Sequence, residues 1–263
     1  MSLYRKIHEY WESVEGEQTW QYLDEKPWHL GGRIRAFWIV KLITEVQLSS
    51  PVILDAGCSE GYFIQLVKES GYETIGCDIS INLLEKNYEI FGERNSLVQC
   101  DLTALPFRDR VFDLILCSET LEHIPDWVGA VHEILRVYSE YILYSIPSYE
   151  SLFSRVATIL GQIIVKRDIR IEEPGGHVSI IRLNRLLSII GNDVMTDRIV
   201  ASHAFFSFPS GYWPPINVGA LLLRVFPQLE RFFEMVDKSL DERLWKFLIS
   251  FSGSIILLGK RRD

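Results

Sequence analysis

The sequence has little of what several protein classes require. Its 263 residues include only 4 cysteines, and its 27 basic residues are outnumbered by 35 acidic ones, which gives a formal net charge of −8. So few cysteines in so long a chain exclude a disulfide scaffold and favour a reducing compartment. The shortage of positive charge argues against a general nucleic-acid binder, because neutralising phosphates needs clustered lysine and arginine. With 48% hydrophobic residues the chain is too apolar to be disordered.

Long uninterrupted apolar segments are also missing. The first residues contain no apolar core of the signal-peptide type. The longest stretch without Asp, Glu, Lys or Arg covers residues 199–223, but Pro209, Gly211, Pro214 and Pro215 interrupt it. It therefore cannot form one continuous spanning helix. We expect a cytoplasmic protein without a transmembrane segment, and the sequence leaves contact with a membrane surface open.

The sequence does contain short apolar runs that alternate with helix-length amphipathic segments. The runs predict five strands, at Val52–Asp55, Thr74–Asp78, Leu97–Cys100, Val111–Cys117 and Tyr141–Ile146. Helices are predicted between them, and an amphipathic helix over 32–48 precedes them. Strands that alternate with helices are typical of a parallel sheet covered on both faces. We therefore predict an α/β fold, with a helical cap before the sheet and an insertion after the fifth strand.

The strongest motif is V-I-L-D-A-G-C-S-E-G-Y-F, from Val52 to Phe63, which predicts a strand, an acid, a glycine turn and a helix. Gly57 and Gly61 permit a tight turn and a close approach to a ligand. The helix N-terminus beyond them offers N–H groups to a carboxylate or phosphate. A dinucleotide-binding turn has the pattern G-x-G-x-x-G, whereas Ser59 stands at the central position here. This difference weakens the dinucleotide interpretation.

Asp78 lies at the end of the second predicted strand. An acid about twenty residues after a glycine turn suits ribose hydroxyls, because a carboxylate accepts two hydrogen bonds at once. The spacing alone leaves a second interpretation open, in which Asp78 only stabilises the start of the next helix.

A third motif runs from Cys100 to Asp126 and reads C-D-L-T-A-L-P-F-R-D-R-V-F-D-L-I-L-C-S-E-T-L-E-H-I-P-D. With the preceding motifs it closely resembles class I S-adenosylmethionine-dependent methyltransferases, specifically the type 11, ubiquinone-methyltransferase-like group of small-molecule enzymes. The resemblance covers residues 52–147 well and residues 176–190 more loosely. It implies a Rossmann-like, seven-stranded and mostly parallel sheet with helices on both faces. It also implies that the last strand, Ser252–Leu258, is antiparallel.

The resemblance further implies a domain plan and a cofactor site. The methyltransferase domain would span residues 49–263 after a helical cap of residues 1–48, with a lid insertion at about residues 148–176. The implied S-adenosylmethionine-binding residues lie at or just after the carboxyl ends of the first four strands: Asp55, Gly57, Cys58, Ser59, Gly61, Asp78, Ile79, Asp101, Leu102, Ser118 and Glu119.

The resemblance gives these residues different roles. Asp55 and the glycine turn would lie under the methionine portion of the cofactor. Asp78 would bind both ribose hydroxyls, and Ile79 would pack on the adenine. Asp101 would accept a hydrogen bond from the adenine amino group, with the Leu102 backbone beside it. Ser118 and Glu119 would line the cleft near the methyl group.

The implied reaction is transfer of a methyl group to a small organic acceptor, with S-adenosylhomocysteine as the second product. Its main requirement is alignment of nucleophile and sulfonium, so a base is needed only where the acceptor holds its proton. His123 and His177 are the candidate general bases or acceptor-site residues. The alternatives are a backbone-bonded histidine at a helix start for His123 and a loop anchor for His177.

The four cysteines each fall at or just past a strand end, at Cys58, Cys77, Cys100 and Cys117. Their strand ends converge, but the sequence contains no C-x-x-C pair. We expect small packing residues rather than metal ligands, and we expect no metal in the site.

The acceptor is suggested only by residues late and early in the chain. An aromatic loop at residues 205–213 contains Phe205, Phe206, Phe208, Tyr212 and Trp213. It favours an apolar or amphipathic acceptor, lipid-like or quinone-like, over a polar one, although ordinary packing explains it too. Arg33 and Arg35 could contact the cofactor carboxylate or an anionic acceptor, or lie on a solvated helix face.

Two other functions stay open. One is a nicotinamide-dependent oxidoreductase of Rossmann type, against which Ser59 and the segment D-L-T-A-L-P-F argue. The other is a non-catalytic, methyltransferase-like binding module.

Overall fold

The computed structural model describes residues 30–46, 48, 51–149, 177–202 and 253–262. The helices in this part of the chain are α1 (Leu30–Glu45), α2 (Tyr62–Glu69), α3 (Ile81–Phe91), α4 (Trp127–Val137) and α5 (Leu183–Ile190). The strands are β1 (Val52–Ala56), β2 (Glu73–Asp78), β3 (Ser96–Gln99), β4 (Phe112–Ser118), β5 (Tyr138–Pro147), β6 (Val194–Ser202) and β7 (Ser254–Arg261). Single 3-10 turns occur at Gly92–Arg94 and Leu121–His123.

The strands form one seven-stranded sheet in the order β3-β2-β1-β4-β5-β7-β6. The pairs from β3 to β5 are all parallel, whereas β7 runs antiparallel to both β5 and β6. The predicted fold, with its antiparallel last strand, is therefore confirmed. Boundaries differ by a few residues: the last strand was expected at Ser252–Leu258, whereas β7 begins at Ser254 and continues to Arg261.

Helices cover both faces of the sheet, because successive side chains of a strand point in opposite directions. In β4, Leu114 and Leu116 pack in a cluster with α1, whereas Ile115 and Cys117 pack in another cluster with α4 and α5. All four side chains are fully buried. The near-continuous apolar sequence of the central strands follows from this burial on two sides.

The described part of the N-terminal cap forms one of these layers. Ile34, Trp38 and Leu42 recur every fourth residue of α1, which places them on one helix face. They are buried against β4, β5 and β7. Residues 1–29 of the cap, residues 150–176 of the predicted insertion and the aromatic loop 205–213 lie outside the described residues.

Side-chain caps fix the starts of two helices that begin next to the sheet edge. Ser80 Oγ accepts a hydrogen bond from the backbone N–H of Leu83 at the start of α3. Asp126 Oδ1 accepts one from Gly129 at the start of α4. Each cap satisfies a backbone donor that has no partner within its helix.

The topology also determines where a ligand cleft lies. From β1 the chain builds β2 and β3 on one side, and it then crosses to place β4 on the other side of β1. In open α/β sheets, ligands bind outside the carboxyl ends of the strands at this switch point. The predicted site residues follow these strand ends. Within the described ranges, none of the helices combines the length and hydropathy that crossing a membrane requires.

Candidate active site

The turn after β1 closes against the neighbouring strand. The backbone N–H groups of Gly57 and Cys58 both donate to the carbonyl oxygen of Cys77 in β2, at 2.8 and 3.0 Å. Gly57 and Gly61 have φ angles of +80° and +84°, which side chains rarely adopt. A Cβ atom at Gly61 would come within 1.8 Å of Asn87 Nδ2. At both positions a side chain is excluded, because the φ angle is unfavourable for it and because its Cβ would collide with a neighbouring side chain.

Ser59 occupies the position where the related pattern commonly has a central glycine. It also adopts a left-handed conformation, with φ +50°. This conformation costs a non-glycine residue about 1–2 kcal/mol. The Ser59 backbone N–H donates to Asp78 Oδ2 at 2.8 Å, which helps to offset that cost. The turn is therefore held directly by the residue predicted to bind ribose.

Asp78 joins the turn after β1 to the start of α3. Its Oδ1 accepts a hydrogen bond from the Ser80 N–H at 3.0 Å, while Oδ2 accepts the one from Ser59. An ionised carboxylate has about four acceptor positions, so it can bind hydroxyls in addition to these two backbone groups. Ile79 follows at a half-buried position, and its carbonyl oxygen accepts from Gln99 Nε2.

Asp101 lies beside Asp78, because the Cys100 N–H donates to the Asp78 carbonyl oxygen at 2.9 Å. Asp101 Oδ1 accepts from both the backbone N–H and the hydroxyl of Thr103, each at 2.8 Å. Leu102, between them, is buried. This turn fixes the side chain of Asp101 at the end of β3.

Asp55, in β1, is nearly inaccessible at 2% exposure. Its Oδ2 has no hydrogen-bond partner among the described residues. Burial, reinforced by the negative charge of Asp78, raises the pKa of Asp55 to about 8. A cation bound beside Asp55 would favour its ionised form, so this carboxyl suits a ligand that carries positive charge.

This pKa predicts how stability depends on pH without ligand. Between about pH 4 and pH 8 the folded state holds a proton on Asp55 that the unfolded state releases. The free energy of unfolding should then decrease as pH rises, by up to about 1.4 kcal/mol per pH unit. Asp55→Asn should remove this contribution, as measured by urea unfolding across the range. The exposed Asp197→Asn is the control, and an equal slope in wild type and Asp55→Asn would contradict the prediction.

Glu119 follows β4 with φ +50° and is tied to both β5 and α1. Its N–H donates to the Ser145 carbonyl oxygen, and its Oε1 accepts from the Ser145 hydroxyl at 2.7 Å. Its Oε2 lies 3.4 Å from Nη1 of Arg35, which is itself buried. Next to it, the buried Ser118 Oγ has no hydrogen-bond partner among the described residues. The open question about Arg35 is thus settled against a solvated helix face.

His123 and His177 come together at the edge of this site. Their ring centroids are 5.1 Å apart, and Tyr149 Oη lies 2.7 Å from His177 Nδ1. Burial, and then the nearby His123, lower the pKa of His177 to about 4. Glu122 directly precedes His123 in the same turn, and its side chain is fully buried. Burial and the charge of Glu119 raise the pKa of Glu122 well above its usual range.

Several residues that make these contacts could not be distinguished from their neighbours in the sequence. Glu122 stands inside the L-E-H motif, and nothing in the pattern indicates that it is buried. Tyr149 and Ser145 lie within or just after β5, where apolar packing is the ordinary expectation. The cysteines behave as expected: Cys58, Cys77 and Cys117 are buried among apolar residues, and all four are free thiols. Burial raises the pKa of the Cys58 and Cys117 thiols.

The architecture and the strand-end site define a class I methyltransferase fold. Residues 54–140 match the family model described as a methyltransferase domain. The resemblance predicted from the sequence is therefore confirmed for this domain.

Curated relatives and solved structures agree with this assignment. A ubiquinone biosynthesis O-methyltransferase of Coxiella burnetii is 35% identical over 104 residues, which are 38% of this chain and 43% of that protein. An uncharacterized protein of Methanocaldococcus jannaschii is 38% identical over 86 residues, 33% of this chain and 35% of its own. The chain thus spans less than half the length of these two relatives.

The same fold is found in crystal structures of low sequence identity. A magnesium protoporphyrin IX methyltransferase from Synechocystis with bound S-adenosylhomocysteine superposes with a TM-score of 0.64. The alignment is 17% identical and covers 97% of this chain and 98% of that one. A sarcosine dimethylglycine methyltransferase, described as putative, from Galdieria sulphuraria gives a TM-score of 0.57 at 14% identity, with 87% and 86% covered.

Proposed function

We propose that this protein transfers the methyl group of S-adenosylmethionine to a small organic acceptor. The observation that carries the proposal is the position of Asp78, which ends β2 and binds the turn after β1, next to the switch point between β1 and β4 of a class I methyltransferase fold. The Synechocystis neighbour has S-adenosylhomocysteine bound, which supports the same ligand here.

The polar groups at the strand ends fit this cofactor. A sulfonium cation is stabilised by nearby acids, and Asp55 Oδ2 and Ser118 Oγ are buried polar atoms without a hydrogen-bond partner in the described part of the chain. We assign the methionine portion to Asp55 and the turn of Gly57, Cys58, Ser59 and Gly61. We assign the ribose to Asp78, the adenine to Ile79, Asp101 and Leu102, and the region of the methyl group to Ser118 and Glu119.

When bound, the cofactor supplies an activated methyl group: the sulfur–carbon bond breaks, its electron pair stays on sulfur, and the acceptor bonds to the carbon. The protein's contribution is alignment and exclusion of water. Arg35 holds the Glu119 carboxylate at the end of β4, and Ser145 holds it from β5. We place His123 and His177 at the acceptor end. His123 is the first candidate to take the proton of an acceptor that retains one, because the pKa of His177 is lowered to about 4.

We propose an apolar or amphipathic acceptor, in keeping with the aromatic residues of loop 205–213. One relative is named for ubiquinone biosynthesis, which supports including quinone-like phenols. We also propose that residues 1–48 and the insertion at about residues 148–176 cover the cleft. The turn after β1 favours this function over a nicotinamide-dependent one, because Ser59 stands where a dinucleotide-binding turn has the glycine that lets the pyrophosphate approach.

Calorimetric titration with S-adenosylhomocysteine and, separately, with NAD tests the cofactor. We expect one molecule of S-adenosylhomocysteine to bind per chain and NAD to give no heat of binding. Labelled S-adenosylmethionine with quinols, lipids, sugars and aromatic metabolites then tests turnover. Binding of NAD alone would overturn the proposal, and cofactor binding without any transfer across the screen would favour a non-catalytic module.

A further inference from the structure

We propose that Glu122, His123 and His177 bind a divalent transition-metal ion at the acceptor end of the cleft. Each residue offers one ligand atom, and these three atoms all lie within 4.8 Å of one another. The cluster combines two imidazoles with one carboxylate. The sequence, in which only cysteine spacing was weighed, led to the expectation of no metal.

Glu122 supplies the strongest argument for a cation. Its side chain is 0% exposed, and neither carboxylate oxygen has a hydrogen-bond partner among the described residues. A buried carboxyl without partners is costly, and proteins normally pair such groups or let them coordinate metals. The ligand atoms of His123 and His177 both lie within 4.8 Å of its own ligand atom.

The chain brings His177 to this point by specific backbone contacts. The N–H groups of Val178 and Ser179 both donate to the Glu122 carbonyl oxygen, at 2.9 and 3.0 Å. The Ser179 hydroxyl donates to the Ile124 carbonyl oxygen at 3.0 Å. The segment that carries His177 is therefore fastened to the turn that carries Glu122 and His123. Residues far apart in sequence are held together as a single unit.

Tyr149 supports His177 in the way that metal sites require. A metal-bound histidine usually donates its other ring N–H to an oxygen, which fixes the tautomer and the ring orientation. Tyr149 Oη lies 2.7 Å from His177 Nδ1. With the proton on Nδ1 and donated to Tyr149, Nε2 becomes the ligating nitrogen.

The donor set selects the kind of ion. Two imidazole nitrogens and one carboxylate oxygen suit Zn²⁺ and its transition-metal neighbours, with a further position left for another ligand, whereas Mg²⁺ prefers oxygen alone. In a tetrahedral zinc site the ligand atoms are about 3.4 Å apart. On binding an ion, the present separations of up to 4.8 Å would have to shorten to that spacing.

If the protein has the proposed function, such an ion would bind the methyl acceptor. Its remaining position would take an oxygen or nitrogen of the acceptor and ease loss of the acceptor's proton, as a bound metal does for water. The ion would thereby select acceptors with a hydroxyl, phenol or amine group over those without one. It would also explain why two histidines and a buried acid converge where the acceptor must lie.

Calorimetry with Zn²⁺ on chelator-treated full-length protein tests the site directly. We expect one ion per chain and a higher Tm when Zn²⁺ is added, because a ligand that binds the folded state stabilises it. Glu122→Gln and His177→Ala should each weaken binding by about 100-fold or more, and Tyr149→Phe by about 10-fold. The matched controls are Glu89→Gln and His132→Ala, which are exposed and should leave binding unchanged.

The outcomes separate this inference from the proposed function. Glu122→Gln removes a buried carboxyl without changing its size, and its Tm without metal shows that it folds. Zn²⁺ binding that survives in both Glu122→Gln and His177→Ala would overturn the site, as would tighter binding of Mg²⁺ than of Zn²⁺. Titration with S-adenosylhomocysteine is run on the same samples. If the wild-type protein does not bind S-adenosylhomocysteine, the cofactor assignment is contradicted. The Zn²⁺ titrations of the wild type and the variants still decide whether the metal site exists.

Discussion

Replacing Asp78 with alanine is expected to weaken the binding of S-adenosylhomocysteine by about 100-fold or more. A hydrogen bond to a charged group contributes about 1.5–3 kcal/mol, and the assignment gives this carboxylate two ribose hydroxyls. Two such bonds correspond to at least about two powers of ten in affinity. Calorimetry with the purified variant measures the change.

Controls for Asp78 separate ribose binding from the support of the turn. Asp78 also accepts backbone hydrogen bonds from Ser59 and Ser80, so alanine disturbs the turn as well. Asp78→Asn keeps the size and one acceptor oxygen, and it should still bind markedly more weakly because the charge is gone. Asp197→Ala, at an exposed position of β6, should bind like the wild type. Unchanged affinity in folded Asp78→Ala would refute the ribose assignment.

Replacing Gly57 with alanine is expected to cost about 2–5 kcal/mol of unfolding free energy, the sum of backbone strain and overpacking. Its φ of +80° is unfavourable for alanine, and the new Cβ would lie 2.2 Å from Thr120 Cγ2 and 2.5 Å from Thr120 Oγ1. Urea unfolding without cofactor measures the loss. The turn should also lose much of its affinity for cofactor, because it must shift to make room.

Gly71 provides a matched control for the part of this free-energy cost that comes from backbone strain alone. Gly71 has a φ of +90°, but nothing lies within 4 Å of a Cβ placed there. Gly71→Ala should therefore cost only the strain, about 1–2 kcal/mol. Adding Thr120→Ala to Gly57→Ala should recover part of the difference. Equal losses at Gly57 and Gly71 would show that the contact with Thr120 does not matter.

The fold was largely predictable because its signals are local and repeated. Apolar runs separated by amphipathic helices indicate a two-sided parallel sheet wherever they occur, and the structure has that sheet. Strand ends were less predictable. The predicted third strand included Cys100, but β3 ends at Gln99, since Asp101 and Thr103 form a hydrogen-bonded turn directly afterwards.

The site was predictable where a motif is contiguous in sequence and not where it depends on tertiary contacts. Gly57 and Gly61 are visible because only glycine meets both their conformation and their space. The pairing of Arg35 with Glu119 joins α1 to the end of β4, and no sequence spacing encodes it. Glu122 is a further case, since its burial results from α-helical and loop segments that meet only in the folded chain. The acceptor assignment also depends on loop 205–213, which lies outside the described residues.

The position of β7 has a consequence for how this sheet is completed. Among the described residues, β6 pairs only with β7, and β7 is the last of the described strands along the chain. As the polypeptide is synthesised, β5 is therefore made long before the strand that pairs with its free edge, and an unpaired edge invites contact with other chains. α1, already present by then, can cover the growing sheet on one face but not along that edge. Completion of the sheet therefore requires β7 to insert between β5 and β6.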